Sequence, residues 1–576
     1  RLSRDEDAGG FAFDMERLRS VMRQTVRDKF GRQAPAWSPL FRGTARVAPP
    51  RMSSSGFTPR GGLLLRLLAS PWRALGVAAV VLFLAGVARF HDRNTGFSSL
   101  ISIGDLLTET KVTALRQVPH YVYDNSAGYD GAYYVQLAMH PTLDNPELTK
   151  AIDNLPYRAK RILFCWTAWA VGLGQPAWIV QAHALLNVAA WLALAIVLLR
   201  WFPLDSPQNL FRWAAILFSH GVCMSVRHSL VDAPSLLLVA LAMRWLEQGQ
   251  GRAGGITLAL AGLGKETSLL ATAGVDFDWR APRTWLRPAV TVVLIALPLL
   301  LWIGYVRWKF GKADDPGLGN FTWPLAGYFE KFGAAWRDLA GSSGLLHWAV
   351  FATVLALTAQ WLFFVLRWRP ADRWWRVGVT FALMMTFLST PVWEGYPGAA
   401  TRVLLPMTLA FNVLVPRDRR WLPLLLVGNL SVAASVFEFS PPNEFYTVRG
   451  DAAAAEAVRV IPEGWHGPER HLQHQWRWSP GNSRVRFVNS GTAPFTVAVR
   501  GFASSVEGLH RIRITQGERL LWGDQVGQGQ AEFRLGLNLP PGETVLQFST
   551  EAAARRVGTD PRDLAFQVSN LEVVVS

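Results

Sequence analysis

Long apolar runs alternate with short arginine-bearing segments through most of this 576-residue chain. Several runs hold about 16–23 residues, close to the ~20 that an α-helix needs to cross a hydrocarbon core. They predict spans near residues 72–90, 178–199, 210–226, 229–246, 287–306, 345–366, 376–391, 399–415 and 420–437. Together with the apolar segments 161–175 and 254–279, the pattern predicts a polytopic α-helical membrane protein with about 10–11 spans.

The arginines beside these runs predict the orientation of the chain. Arg60, Arg66 and Arg73 precede the first span, which places its N-terminus in the cytosol by the positive-inside rule. Residues 91–177 then form an outer loop. If the remaining arginine clusters are all cytosolic, the spans between them must come in pairs, one crossing outward and the next returning. These clusters lie near 200–212, 244–252, 280–287, 367–376 and 417–420. We expect a bacterial inner (cytoplasmic) membrane protein whose active site is periplasmic.

Two apolar segments do not fit as ordinary crossings under this topology. Residues 161–175 are too few and are broken by Gly-Gln-Pro, so we expect an outer-surface or re-entrant helix. Residues 254–279 must leave and re-enter on the same side, as two half-length helices that meet at "GLGKET". This hairpin would hold Lys265 and Glu266 deep on the outer side. The alternative is one ordinary span with an external loop at Arg280.

The composition changes at both ends of the chain. Residues 1–71 are basic and predict a largely disordered cytosolic segment; Met52 offers an alternative start, which leaves the translation of residues 1–51 open. From about Ser440, segments such as "FTVAVRGF" and "AEFRLGLNL" alternate, separated by turns such as "SPGNS". We expect a membrane domain over 72–440 and a periplasmic all-β sandwich domain over 441–576.

Charge and cysteine content exclude two classes of protein. The net charge of +16 comes largely from arginines beside apolar spans, so it indicates orientation and not nucleic-acid binding. Cys165 and Cys223 both lie in apolar stretches and indicate neither a disulfide framework nor a cysteine metal site.

Charged side chains inside a membrane are costly and so point to function. Cations near the headgroup plane suit a lipid-linked phosphate, and a carboxylate suits a general base acting on an acceptor hydroxyl. The chain lacks the glycine-rich strand–helix turn of a nucleotide-sugar site. The topology gathers these residues on the outer side: Asp124, Asp130, Arg158, Lys160, Arg161, Arg227, His228, Asp232, Lys265, Glu266, Asp314, Asp315, Glu394 and Arg402.

Four motifs resemble the GT-C superfamily of membrane glycosyltransferases, which use polyprenyl-phosphate sugars: "YDGAYY", "LPYRAKRIL", "LVDAPS" and "GKET". In that superfamily an essential acid lies in the first outer loop, in several branches within a (Y/F)DG-x-(Y/F)-Y pattern. Similar bacterial sequences carry "GYDGQFYxxLA", an "R…xTDP" motif and "TKET". Ala132, Val231 and Gly264 depart from those patterns and leave the sugar undetermined. The resemblance covers about residues 72–440, and the β region resembles sandwich domains appended to such enzymes.

The resemblance implies an inverting glycosyltransferase that moves a sugar from a polyprenyl-phosphate donor to a cell-surface glycan or glycolipid acceptor. Asp130 would be the catalytic base, and Asp124 a second acid or the base itself. No nucleotide cofactor is implied, and a divalent metal is compatible although no ligand cluster demands one. The lipid-phosphate and substrate-binding residues would be Arg158, Arg161, Arg227, Lys265, Arg402, Tyr129, Tyr133, Asp232, Glu266 and Glu394.

Structural alternatives accompany several of these residues. Asp130 also suits the N-cap of a short helix, and Asp124 suits a turn. Arg227 pairing with Asp232 would close a tight turn between spans, and Glu394 would be a structural partner for Arg402 inside a span. Asp314, Asp315 and His228 suit ordinary loop or interface positions. At the level of function, a transporter or flippase of lipid-linked saccharides is the alternative, although the chain lacks the matching halves of many transporters. A membrane-anchored scaffold whose β domain binds glycan is a third.

Overall fold

The computed structural model of the protein describes residues 70–575 apart from 93–94, 107, 124–125, 277–283, 312–317, 342–343, 443, 451–456, 472–473, 558–559 and 561. We call the face that carries Asp130 the outer face and the opposite one the inner face. Of the predicted cytosolic segment 1–71, residues 1–69 lie outside the described residues.

Helices make up the described chain up to residue 435, with short 3₁₀ helices between them. The α-helices are α1 Pro71–Ala88, α2 Thr113–Arg116, α3 Asp130–Met139, α4 Leu148–Ala151, α5 Leu155–Ala159, α6 Leu163–Val171, α7 Pro176–Leu198, α8 Pro207–Leu217, α9 His220–Arg227, α10 Asp232–Glu247, α11 Gly251–Gly264, α12 Leu286–Phe310, α13 Ala326–Gly341, α14 Leu345–Leu366, α15 Arg373–Phe387, α16 Thr390–Trp393, α17 Ala400–Val403, α18 Leu405–Leu414, α19 Leu422–Val427 and α20 Val432–Ser435. The 3₁₀ helices are Ser98–Ile101, Thr108–Thr110, Glu266–Gly274, Leu318–Asn320 and Arg419–Trp421.

Four of the described helices, α1, α7, α12 and α14, are long and apolar enough to cross a membrane. They make the chain a membrane protein. The predicted count of about 10–11 spans is wrong for single helices. Between residues 207 and 227, for example, the chain forms two short helices instead of one span. Hydropathy reports how apolar a segment is, and an interrupted segment packed against neighbours is as apolar as a continuous helix.

The predicted hairpin around Lys265 is confirmed. Helix α11 ends at Gly264, which lies beside Ser235 near the outer end of α10. Lys265 is extended, with φ −159° and ψ 120°, and the 3₁₀ helix Glu266–Gly274 then returns to Gly274, beside Met243 at the inner end of α10. The two arms have 14 and 9 residues, so neither has the ~20 needed to span a bilayer alone. The turn between them carries Lys265 and Glu266 to the outer face.

The short segment 161–175 does not cross either, as expected. Its helix α6 has 9 residues, about 13.5 Å at 1.5 Å per residue. The next helix, α7, begins on the outer face, where the side-chain amide of Gln181 accepts from Phe97 N at 2.8 Å and donates to Thr95 O at 3.0 Å. Residues 161–175 therefore start and end on the same side.

The chain from Tyr446 onward is all β, as the alternating pattern predicts. The strands are β1 Tyr446–Gly450, β2 Val458–Glu463, β3 Glu469–His471, β4 His474–Ser479, β5 Asn482–Asn489, β6 Phe495–Ser505, β7 His510–Gln516, β8 Arg519–Val526, β9 Ala531–Leu539, β10 Gly542–Thr550 and β11 Phe566–Val575. They pair in the order β3-β4-β11-β6-β9, with β1 also against β11, and in a second sheet in the order β2-β5-β10-β7-β8. Apolar side chains from both sheets form one core, including Phe487 and Phe533.

The β region contacts the outer loop through a polar bridge. Tyr121 of the loop donates from its hydroxyl to Glu444 at 3.2 Å, and Arg477 of β4 donates to the same carboxylate at 3.1 Å. The β strands therefore stand on the face that carries Asp130.

Candidate active site

Asp130 is the first residue of α3, at the end of a loop that is held by close backbone packing. Tyr129 N donates to Ser102 O at 2.9 Å. A Cβ on Gly131 would lie 2.9 Å from Ile101 O and overlap His228 O, so only glycine fits after the acid. The "DG" pair of the sequence motif thus has a steric reason. The N-cap position belongs to Tyr129, so the capping role expected for Asp130 is wrong, although an acid in the first turn still suits the helix dipole.

Two guanidinium groups face the Asp130 carboxylate. Arg158 Nη1 lies 3.0 Å from Oδ1, and Arg402 Nη1 lies 3.9 Å from Oδ2. The Asp130 side chain keeps 25% of its surface exposed, so a small group can still reach it. Arg158 also binds Asp153 at 2.9 Å, which makes it a bridge between two acids. Burial would raise the pKa of Asp153, but the contacts with Arg158 outweigh burial and lower it.

Asp232 binds the hairpin tip and a second arginine together. It pairs with Lys265 and accepts from Arg402 Nη1 at 3.2 Å, while only 2% of its side chain is exposed. Arg402 also donates to the Tyr129 hydroxyl at 3.2 Å. Arg402 therefore joins the Asp130 loop to the hairpin.

A second ion pair fixes the other side of the hairpin tip. Arg161 donates to Glu266 at 2.9 and 2.6 Å, and to the hydroxyls of Tyr134 and Tyr157 at 3.0 and 2.9 Å. Burial raises the pKa of Tyr134 to about 12, so its hydroxyl stays protonated at neutral pH. Tyr134 acts as an anchor for Arg161, not as an exposed sugar platform.

These groups line one polar cavity of about 410 Å³. Its wall contains the acids Asp130, Asp153 and Asp232 and the cations Arg158, Arg161, Lys265 and Arg402, together with Asn154, Tyr157, Asn320, Pro391, Val392, Ala399 and Val403. Acids and cations that are up to 272 positions apart in the sequence thus meet in one outer chamber, which is the arrangement that the charge pattern predicts.

An apolar cavity of about 890 Å³ adjoins the polar one. Arg161, Lys265 and Asn320 line both cavities, so the cations lie at their junction. From there the apolar walls, such as Leu269, Val292 and Met384, run between the 3₁₀ arm of the hairpin, α12 and α15. A further cavity of about 730 Å³ continues along the same helices toward the inner face. Cationic groups thus stand at the head of a long apolar groove.

The charges of the two adjoining cavities almost cancel. Their walls contain five cationic side chains, including Lys160, and four acidic ones, including Glu266. One positive charge in excess suits a ligand with one negative charge.

Two predicted pairings are wrong. Arg227 donates to Ser99 O, Ser102 Oγ and the Tyr123 hydroxyl instead of pairing with Asp232, because the helix turn aims it back at the first outer loop. Arg227 therefore braces that loop and does not line the polar cavity. Arg402 binds Asp232, and Glu394 lies exposed at the surface. Asp124, Asp314 and Asp315 lie outside the described residues.

The tyrosines of the motif contact protein groups. The Tyr129 ring lies 4.6 Å from the His228 ring, and Arg158 stands over the Tyr133 ring at 5.0 Å. These contacts fit a role in fixing the loop.

Sequence reasoning missed several residues of this region: Asp153, Tyr157, Asn320, His220 and Glu438. Asp153 precedes the "LPYR" segment and Tyr157 lies within it, so their place beside Arg158 was a usable signal. Asn320 belongs to none of the motifs and gave no signal in the sequence. Among the described residues, no group of three or more His, Cys, Asp or Glu side chains could hold a metal ion.

Comparison with known proteins leaves the family open. No family model and no curated protein sequence matches the chain. Among solved structures, arabinosyltransferase EmbB from Mycobacterium smegmatis is similar over 90% of this chain and 66% of its own, at 10% identity and a TM-score of 0.34. A mutant of the carbohydrate-binding module CBM29-2 is similar over 20% of this chain and 80% of its own, at 11% identity and a TM-score of 0.13. At TM-scores this low, neither likeness decides the function.

Proposed function

We propose that the chain is a membrane glycosyltransferase that moves a sugar from a polyprenyl-phosphate donor to a glycan or glycolipid acceptor. One observation carries the proposal: a cavity lined by paired acids and cations opens directly onto an apolar groove among membrane helices. A ligand that fits both has an anionic head and a long apolar tail. A lipid-linked sugar phosphate has that chemistry.

The donor phosphate would lie where the two cavities meet. Arg161 and Lys265 line both cavities and offer charge-assisted hydrogen bonds to phosphate oxygens. The phosphodiester carries one negative charge, which matches the single excess positive charge of the walls. The isoprenoid tail would follow Leu269, Val292 and Met384 along the groove.

Asp130 lines only the polar cavity and so lies on the acceptor side of the phosphate. In the proposed reaction its carboxylate takes the proton of an acceptor hydroxyl, whose oxygen bonds to the anomeric carbon. The bond from that carbon to the phosphate oxygen breaks, and its electron pair leaves with polyprenyl phosphate. The leaving phosphate gains negative charge, which Arg402, Lys265 and Arg161 stabilise. A direct displacement of this kind inverts the anomeric centre.

A transporter of lipid-linked saccharides fits the groove less well. The cavity that continues toward the inner face is lined mainly by apolar side chains, such as Leu269, Leu270, Val292 and Val293. These suit a lipid tail, but they offer few groups to solvate a sugar that crosses the membrane.

The test is sugar transfer from a radiolabelled polyprenyl-phosphate sugar by purified protein in proteoliposomes, with Asp130→Asn compared to the unchanged chain. General-base loss lowers rates by about 10²–10⁴-fold. Asp144→Asn is the matched control, because Asp144 also pairs with a cation, Lys309, near this face but is 69% exposed and lines neither cavity. Full activity of Asp130→Asn contradicts the assignment. Exchange of labelled lipid across the membrane without bond cleavage supports the transporter.

A further inference from the structure

A partly buried acid outside the polar cavity stands at the end of the last apolar segment. Glu438 follows α20 and precedes the linker to the β strands, which begin at Tyr446. Its side chain is 14% exposed and does not line the polar cavity. The reaction proposed above gives it no role.

Two histidines converge on this carboxylate. Oε1 lies 3.1 Å from His220 Nε2, and Oε2 lies 3.5 Å from His228 Nε2. Burial would raise the pKa of Glu438, but the two histidine contacts lower it to about 2. Glu438 is therefore a carboxylate at neutral pH, and it only accepts hydrogen bonds. His220 is the first residue of α9 and His228 directly follows its last residue, so the carboxylate contacts side chains from both ends of this helix.

One arm of this arrangement leads to the Asp130 loop. The His228 ring packs 4.6 Å from the ring of Tyr129, the residue before Asp130. His228 Nδ1 lies 2.9 Å from Ser102 Oγ, and Ser102 O accepts from Tyr129 N. His228 thus contacts the ring of Tyr129 directly and reaches its backbone through Ser102.

The other arm leads to Arg402. His220 Nδ1 lies 2.9 Å from Thr401 Oγ1, and Thr401 precedes Arg402 in α17. Gly221 packs so closely that a Cβ there would lie 3.1 Å from Arg402 Cα. The start of α9 and the Arg402 segment are therefore in backbone contact.

We propose that Glu438 is a positioning residue that holds Asp130 and Arg402 at their working separation through His228 and His220. This inference rests on the proposed function and extends it: the last apolar segment, which leads into the β region, sets the geometry of the reacting acid. Asp130 and Arg402 now stand 3.9 Å apart. Displacements of about 1 Å at a reacting group cost up to about 10²-fold in rate.

The activity test is Glu438→Gln in the full chain. We expect kcat/KM to fall by about 10–100-fold, because the uncharged side chain no longer draws both histidines together. Glu438→Asp keeps the charge and should recover part of the loss. The matched control is Glu444→Gln, because Glu444 also follows the last apolar segment but contacts Tyr121 and Arg477 instead of the histidines. The kcat/KM of Glu444→Gln should stay within about twofold of that of the unchanged chain.

A double variant distinguishes a positioning role of Glu438 from a general loss of folding. If Glu438 acts through His228, then Glu438→Gln combined with His228→Asn should lose little more than the worse single variant. Multiplied losses, or a fully active Glu438→Gln while Asp130→Asn is inactive, would overturn the inference and leave the proposed function standing.

Amide hydrogen exchange supplies a readout that does not depend on activity. Glu438→Gln should speed exchange in peptides that contain Tyr129 to Gly131 and in peptides that contain Thr401 and Arg402, whereas Glu444→Gln should not. Unchanged exchange in both segments would overturn the inference even if the chain proved to have another activity. Active Asp130→Asn with altered exchange would instead contradict only the proposed reaction.

Discussion

Replacing Lys265 with methionine removes one of the two cations that hold the buried Asp232 carboxylate. Losing one partner of a buried pair costs about 3–5 kcal/mol, because the other charge stays buried without compensation. Here Arg402 remains at 3.2 Å from Asp232, a gross attraction of about 5 kcal/mol at an effective dielectric constant of ~20. We therefore expect the free energy of unfolding to fall by about 3 kcal/mol, at the lower end of that range.

The measurement is denaturant unfolding of the purified protein in mixed micelles. Lys309→Met is the control, because Lys309 pairs with Asp144, whose side chain is 69% exposed, and such surface pairs contribute about 0–1 kcal/mol. Adding Asp232→Asn to Lys265→Met removes the uncompensated charge and should restore part of the stability. A double variant less stable than Lys265→Met alone, or a single variant as stable as the unchanged chain, would refute the idea that this pair is a charge-compensated unit.

Two further predictions concern the groove and the loop. Val292→Trp narrows both apolar cavities and should raise the KM for the lipid donor about tenfold with little change in kcat. Val290→Trp is the control and should leave KM unchanged, because Val290 lies on the same helix but outside the walls of these cavities and is 49% exposed. Equal KM values for the two variants in donor titrations would place the tail elsewhere. Gly131→Ala should destabilise the protein by about 1–3 kcal/mol and lower transfer, because the new methyl group overlaps His228 O. Gly86→Ala meets nothing within 4 Å and should be neutral or slightly stabilising; thermal unfolding of both variants checks this, and equal stability would remove the steric reason for the glycine.

The sequence alone was enough to predict the hairpin at Lys265. A lysine and a glutamate inside an apolar segment, between arginine clusters assigned to one side, left few other arrangements. The same argument brought Asp130, Arg161, Lys265 and Arg402 to one face, and the structure places all four around one cavity. The positions of charged side chains are predictable because few sites in a membrane protein can accommodate them.

The partners of those charges were not predictable in the same way. Arg402 has Glu394 nearby in the sequence, yet it binds Asp232, which is 170 positions away. Glu438 meets His220 across 218 positions. Such contacts depend on how helices pack, and a hydrophobic pattern does not specify that packing. The number of long helices failed for a related reason: short helices packed together bury apolar residues as well as one long helix does.

The most direct test of the proposed function is a structure of the protein in a lipid nanodisc with a non-hydrolysable polyprenyl-phosphonate sugar. We expect the phosphonate in ion-pair contact with Arg161 and Lys265, the tail along Val292 and Met384, and the sugar between the phosphonate and the Asp130 carboxylate. A lipid bound away from these residues, or a sugar that Asp130 cannot reach, would contradict the proposed function.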